Sequence, residues 1–424
     1  MNAARTCVGL LALLLAGNAP AAEDYLPSGP LHEAGLVKFW QLQLPLEPDQ
    51  QVLDLYLVDD QLYATTQDGY AFTVDALTGA LRWMCEVTRG GYRVSVPAHA
   101  GDRTIFVTPA MVLHFDRYFG TPILRFDLRV PVASPPASDG RRVFFGAINQ
   151  RFYAYSGASE FERWRTVSYG TVSSRATVSG DVLYFASESG HVFACKSSNK
   201  ARVWVRRPGG PVTADLVADE NGLYVASRDN SLYLLDPVAG GTRWQARLSG
   251  PLYEPPAVTK DVAYQYCPDD GVVAISTAPI VQQDRILWKM ADGRRVLTSD
   301  GAHVYVLSTD GEIRAVRIAD GTVSRTIPAN GFNKSAPVMG GKVFFLAAND
   351  GRLFCARGTE AGVLTREQVL AALRVTTGKK EPPAPEPPAA SQPATTQTQD
   401  VLKTGEKGPP TGGKSKVSKQ HGGG

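Results

Sequence analysis

A unit of about 40 residues recurs along this chain, and the period limits the fold more than any other feature. Its clearest copy runs from Leu62 to Trp83. Leu62 to Thr66 is aromatic and β-branched, which suits a strand. Asp68-Gly69 marks a tight hairpin, since the turn needs a positive φ that glycine adopts without steric cost. Tyr70 to Val74 forms a second strand, Thr78-Gly79 a second turn, and Leu81-Arg82-Trp83 opens a third strand. The Leu62-Tyr63 pair returns as Ile105-Phe106, Val143-Phe144, Leu183-Tyr184, Leu223-Tyr224, Ala263-Tyr264, Val304-Tyr305 and Val343-Phe344. The steps are 43, 38, 40, 40, 40, 41 and 39 residues. Eight units of this length, mostly strand, predict an all-β, eight-bladed propeller of four-stranded blades over 36–358.

The six tryptophans test the register independently. Trp83, Trp164, Trp204, Trp244 and Trp288 close five repeats as blade-docking residues, whereas Leu124 and Arg325 stand at the aligned positions of two others. The eighth repeat has no closing strand after Gly358. Trp40 lies upstream of the first repeat, so the N-terminal strand is expected to complete the last blade and remove its open edge. Within a blade the strand nearest the axis is expected to follow proline, at Pro97, Pro136, Pro256 and Pro337.

Outside the repeats, residues 1–22 read as a secretory signal peptide. Arg5 precedes an apolar run that is too short to span a bilayer, and small residues follow. Cys7 precedes the apolar run, so no lipoprotein signal is formed. The expected location is periplasmic or secreted, with no transmembrane segment. Cys85, Cys195, Cys267 and Cys355 lack metal- or haem-type spacing and read as buried strand residues. One or two disulfides would also suit an oxidising compartment. Thr365 to Gln368 resembles a helix-capping box before a short helix over 365–375. Residues 378–424 read as a disordered tail rich in proline, lysine and glycine. Residues 376–424 hold seven lysines and four acids, leaving 37 basic and 37 acidic residues elsewhere. That balance gives the body no electrostatic case for nucleic acid.

Thr73 to Trp83, with Asp75, Thr78, Gly79 and Trp83 in place, is similar to the tryptophan-docking repeat of quinoprotein-like (PQQ-like) propellers. Degenerate copies lead to Trp164, Trp204 and Trp244. The resemblance implies an eight-bladed propeller and points to periplasmic BamB-like scaffold proteins. Those relatives bind no quinone and help assemble outer-membrane barrels. A quinone-dependent dehydrogenase of this fold would need a calcium site and usually adjacent cysteines, and no Cys-Cys pair is present. The expectation is a non-enzymatic, monomeric envelope scaffold with a protein partner, no cofactor, no metal and no catalytic residues. The alternatives are a quinone-binding redox protein and a carbohydrate- or wall-binding module. The six histidines show no ligand spacing, and the Asp-Gly pairs, one per repeat, read as turns and not calcium loops. A partner face is expected on the blade connectors, at Arg89, Tyr92, Arg93, Arg206 and Arg207, with Arg247, Phe332 and Lys334 beside them. The turn aspartates Asp68, Asp229, Asp270, Asp310 and Asp350 should share that face.

Overall fold

The computed structural model describes residues 24–89, 92–281 and 284–362. The signal peptide, the 365–375 helix and the tail lie outside the described residues. Thirty-two strands form eight four-stranded antiparallel sheets, the blades of a closed propeller. Blades 1 to 7 span 52–86, 98–127, 137–167, 177–206, 217–247, 257–290 and 293–328. Blade 8 takes Phe332–Ala336, Val343–Ala348 and Arg352–Gly358 from its own repeat and Leu36–Gln43 from the N-terminus. Leu36 pairs with Gly358 and Gln43 with Arg352, so the ring closes as the sequence predicts.

The second and third strands of each blade are buried on both faces, because each sheet packs between two others. Gly222–Ser227 and Ser231–Leu235 have no exposed residue. Outer strands alternate instead, as in Thr242–Arg247, where only Trp244 and Ala246 face inward. The aromatic member of each repeat pair fills a seam: Tyr63, Phe106, Phe144, Tyr224, Tyr264 and Tyr305 are all fully buried. Inner strands are two or three residues long in blades 2 to 6, after Pro97, Pro136 and Pro256 and equally where no proline precedes, in blades 4 and 5. Blade 8 departs from the expectation: its inner strand, Phe332–Ala336, ends before Pro337. Val338 beyond it donates its N–H to Leu297 O of blade 7 (3.0 Å).

All six tryptophans are buried, and each reaches into the next blade. The indole N–H donates to a carbonyl in that blade's turn between third and outer strands. The pairs are Trp40 to Ala76, Trp83 to Arg117, Trp164 to Ser197, Trp204 to Pro237 and Trp288 to Ile318, at 2.8–3.1 Å. The turn's left-handed residue lies against the ring. A Cβ at Gly79 would stand 2.6 Å from Trp40, and one at Gly240 would stand 2.5 Å from Trp204. Lys200 holds the same conformation below Trp164, with φ 60°. Trp244 alone has no acceptor among the described residues. The next blade there carries the long 277–284 turn, and Arg285 stacks 4.8 Å above the indole while donating to Ser276 O and Ala278 O.

Both missing tryptophans follow the same rule. Leu124 faces the blade 3 turn, where Glu160 does not adopt a positive φ; a Phe126–Tyr155 stack at 6.0 Å fills that seam instead. Arg325 faces blade 8, which has no such turn because the chain ends meet there. A short helix, α1 (Ser28–Glu33), packs against the outer strand of blade 7 in its place. Leu26, Leu31, Ala34 and Leu36 enter the blade 7–8 core, and Tyr305 donates its hydroxyl to Ala34 O at 2.7 Å. Arg325 turns out to solvent. The cysteines are buried in blades 1, 4, 6 and 8, and none forms a disulfide.

Candidate functional site

One face of the disc is built from blade connectors and the turns between second and third strands. Backbone bonds fix the two sets together: Val87 N–H to Gly69 O, Leu248 N–H to Asn230 O and Ala329 N–H to Gly311 O, at 2.7–2.9 Å. The turn aspartates are anchors here. Asp229 accepts from Gly210 N–H (3.0 Å) and the Tyr233 hydroxyl (2.7 Å). Asp270 accepts from the Ser249 N–H and hydroxyl and from Lys289. Asp310 is held by Ser308 and Arg314, Asp350 by Arg352, and Asp68 by Thr66 and Gln50. These carboxylates stiffen the face, and much of their charge is spent inside it.

The sequence-derived partner residues fall into separate places. Arg89 and Tyr92 lie exposed on the connector between blades 1 and 2, with Arg89 paired to Glu86. They border a groove of about 350 Å³ whose apolar lining includes Val87, Pro109, Met111 and Leu113. Arg93 forks onto Asp54. Arg206 and Arg207 close blade 4, with the whole of blade 3 between them and that groove. Arg206 leans into the docking seam and donates to Ala239 O (2.8 Å), while Arg207 and Arg247 are exposed. Phe332 is not a surface residue. A bulge between Phe332 and Lys334 turns its ring into the core, 2% exposed, near Tyr25 and Phe354.

Two further aromatics share the connector face. Tyr169, between blades 3 and 4, and Tyr253, between blades 5 and 6, are 48% and 49% exposed, close to Tyr92 at 58%. Arg228 lies 5.5 Å from the Tyr253 ring. Their sequence signal was simple: large aromatics inside connectors, off the strand pattern.

A second set of side chains gathers on the inner strands around the axis. Arg93 occupies both oxygens of Asp54. Arg294 occupies both oxygens of Glu254, at 2.6 and 3.0 Å, and lies 4.1 Å from the Tyr266 ring. Arg295 is half-buried beside them and makes no hydrogen bond or ion pair among the described residues. Burial, then the neighbouring Arg294, holds its pKa below the usual arginine value. Lys334 reaches only the side-chain oxygens of Asn333 and Asn349, and burial lowers its pKa too. Farther round the ring, Arg175 and Asp215 are both half-buried. Asp215 accepts only from the Arg175 backbone N–H (2.7 Å), and burial raises its pKa. Among the described residues no group of three or more His, Cys, Asp or Glu side chains could hold a metal ion.

A family model described as outer membrane protein assembly factor BamB matches residues 126–206 and 201–279, over blades 3 to 6. In these blades the sequence is similar to PQQ-like β-propeller repeats. Among solved structures, BamB from Moraxella catarrhalis aligns with a TM-score of 0.60 at 15% identity, covering 76% of this chain and 99% of that one. A computationally designed protein, Ika8, aligns almost as well, with a TM-score of 0.59 at 13% identity over 74% of this chain and 98% of its own. Since a designed protein matches as closely as a natural one, these alignments speak for the fold alone. No curated protein matches the chain in sequence. No helix among the described residues is long and apolar enough to cross a membrane.

Proposed function

We propose that this PQQ-like propeller is a non-enzymatic scaffold of the cell envelope that docks a protein partner on its connector face. The observation that carries the reading is the trio Tyr92, Tyr169 and Tyr253, about half exposed on one face, with Arg228 5.5 Å from the Tyr253 ring. Tyrosine and arginine supply much of the binding energy at protein interfaces, because they bury large area at small entropic cost. Asp68, Asp229 and Asp270 bond to connector residues, so a partner would meet a preorganised surface and lose little binding energy to ordering it. Two further points support the envelope setting: the matched family model is that of an outer membrane assembly factor, and residues 1–22 read as a signal peptide.

Photo-crosslinking in the producing cell tests the reading. A photoreactive phenylalanine analogue at positions 92, 169 and 253 should yield the same discrete protein adduct. At Ile123 and Leu287, equally exposed on outer strands, it should yield none. Adducts from the outer strands alone, or no adduct from the connector positions, would reject the connector face as the docking surface.

A further inference from the structure

We infer that the axial mouth on the connector face binds an oxyanion, a carboxylate or a phosphate, between Arg295 and Lys334. The argument is one of unmatched charge. Four cations gather there, Arg93, Arg294, Arg295 and Lys334, against two carboxylates, Asp54 and Glu254. Each carboxylate gives both of its oxygens to one arginine, Asp54 to Arg93 and Glu254 to Arg294. Neither Arg295 nor Lys334 pairs directly with them; Asp54 attracts both from a distance, and four cations still face only two carboxylates. These two lie on the inner strands of adjacent blades and are close enough to repel each other.

Half-burying two like charges without a counter-charge costs stability, and folded chains ordinarily pair such groups. A guanidinium presents a planar fork that matches two oxygens of a carboxylate or phosphate, and an ammonium adds a third, less directional contact. The side-chain amides of Asn333 and Asn349 already touch the Lys334 ammonium and could turn N–H donors toward the same anion. The site is distinct from the exposed tyrosines and does not depend on the partner reading.

The test uses the full chain, with citrate and inorganic phosphate as separate probes at ionic strength matched with chloride. Calorimetric titration should show saturable binding of at least one probe, and the one that binds identifies the oxyanion. Arg295→Gln and Lys334→Gln should each weaken binding by about tenfold or more, since each removes a charge-assisted contact. Ligand-free Arg295→Gln should melt at or above the temperature of the parent, because it removes an unmatched buried charge. Two results would overturn the inference: neither probe binding beyond chloride, or both folded variants binding as the parent does. A lower melting temperature for ligand-free Arg295→Gln would also overturn it, by making Arg295 a structural group.

Discussion

His114 is a buried side chain whose protonation state the fold decides. It is 1% exposed in blade 2; Nε2 has no partner among the described residues and Nδ1 faces Arg103 at 3.4 Å. Burial, and then the Arg103 charge, pushes its pKa from 6.5 down to about 4. A histidine depressed in this way is neutral when folded, while the unfolded chain takes up its proton from about pH 6.5 downward. Its contribution to stability is therefore complete above pH 6.5 and is lost as pH falls toward 4. His99 shifts in the same direction, with burial dominant over its contact with Asp59. Melting temperature should fall between pH 7 and 4.5, and His114→Leu should make that slope shallower. Equal slopes for parent and variant would show that His114 does not titrate as described.

At the scale of the element, the working unit is an outer strand together with the next blade's turn. A tryptophan is present where that turn offers a left-handed residue, and Trp244 shows what is lost when the turn changes and the tryptophan stays: its N–H has no acceptor among the described residues. The matching makes a quantitative prediction at the blade 2–3 seam. Leu124→Trp alone should not stabilise the protein, because Glu160 does not provide the turn. Glu160→Gly alone should cost a little through chain entropy. Combined, they should show a favourable coupling of about 1 kcal/mol in denaturant unfolding, within the range for residues in direct contact. Strict additivity would mean that the turn conformation does not govern docking. The period made the blades, the tryptophans and the closing strand legible in sequence, since each is repeated or conspicuously displaced. The reason for Leu124 and Arg325 was not legible, because it lies in the following repeat. Helix α1 left little signal either: it has six residues, includes Gly29 and Pro30, and lacks a side-chain N-cap, so packing of Leu31 sustains it. Phe332 misled because a bulge reverses its facing, and Arg295 passed unnoticed because only the fold shows that both nearby carboxylates are already taken.

For the molecule as a whole, closure rests on one strand that serves two seams. Leu36–Gln43 completes blade 8, and Trp40 on the same strand docks onto blade 1 at Ala76. The segment just before it covers the blade 7–8 seam through Leu26 and Leu31. Losing one buried tryptophan costs about 3–5 kcal/mol, and removing residues 1–44 would also strip a sheet edge and uncover a second core. Against a typical total of about 5–15 kcal/mol, that deletion should abolish cooperative unfolding. Rearranging the chain without losing contacts should not. Leu36 and Gly358 are register partners, so the segment that carries α1 and the chain after Gly358 leave blade 8 from the same end. A circular permutant that joins Gly362 to Asp24 through a flexible linker of about 15 residues, and opens new ends in the 277–284 turn, keeps every strand in its sheet and α1 on its seam. It should melt cooperatively within a few degrees of the parent, whereas the deletion should show no sharp transition by circular dichroism. If the deletion melts as the parent does, the ring does not depend on its N-terminal strand, and the closure seen at Trp40 is dispensable.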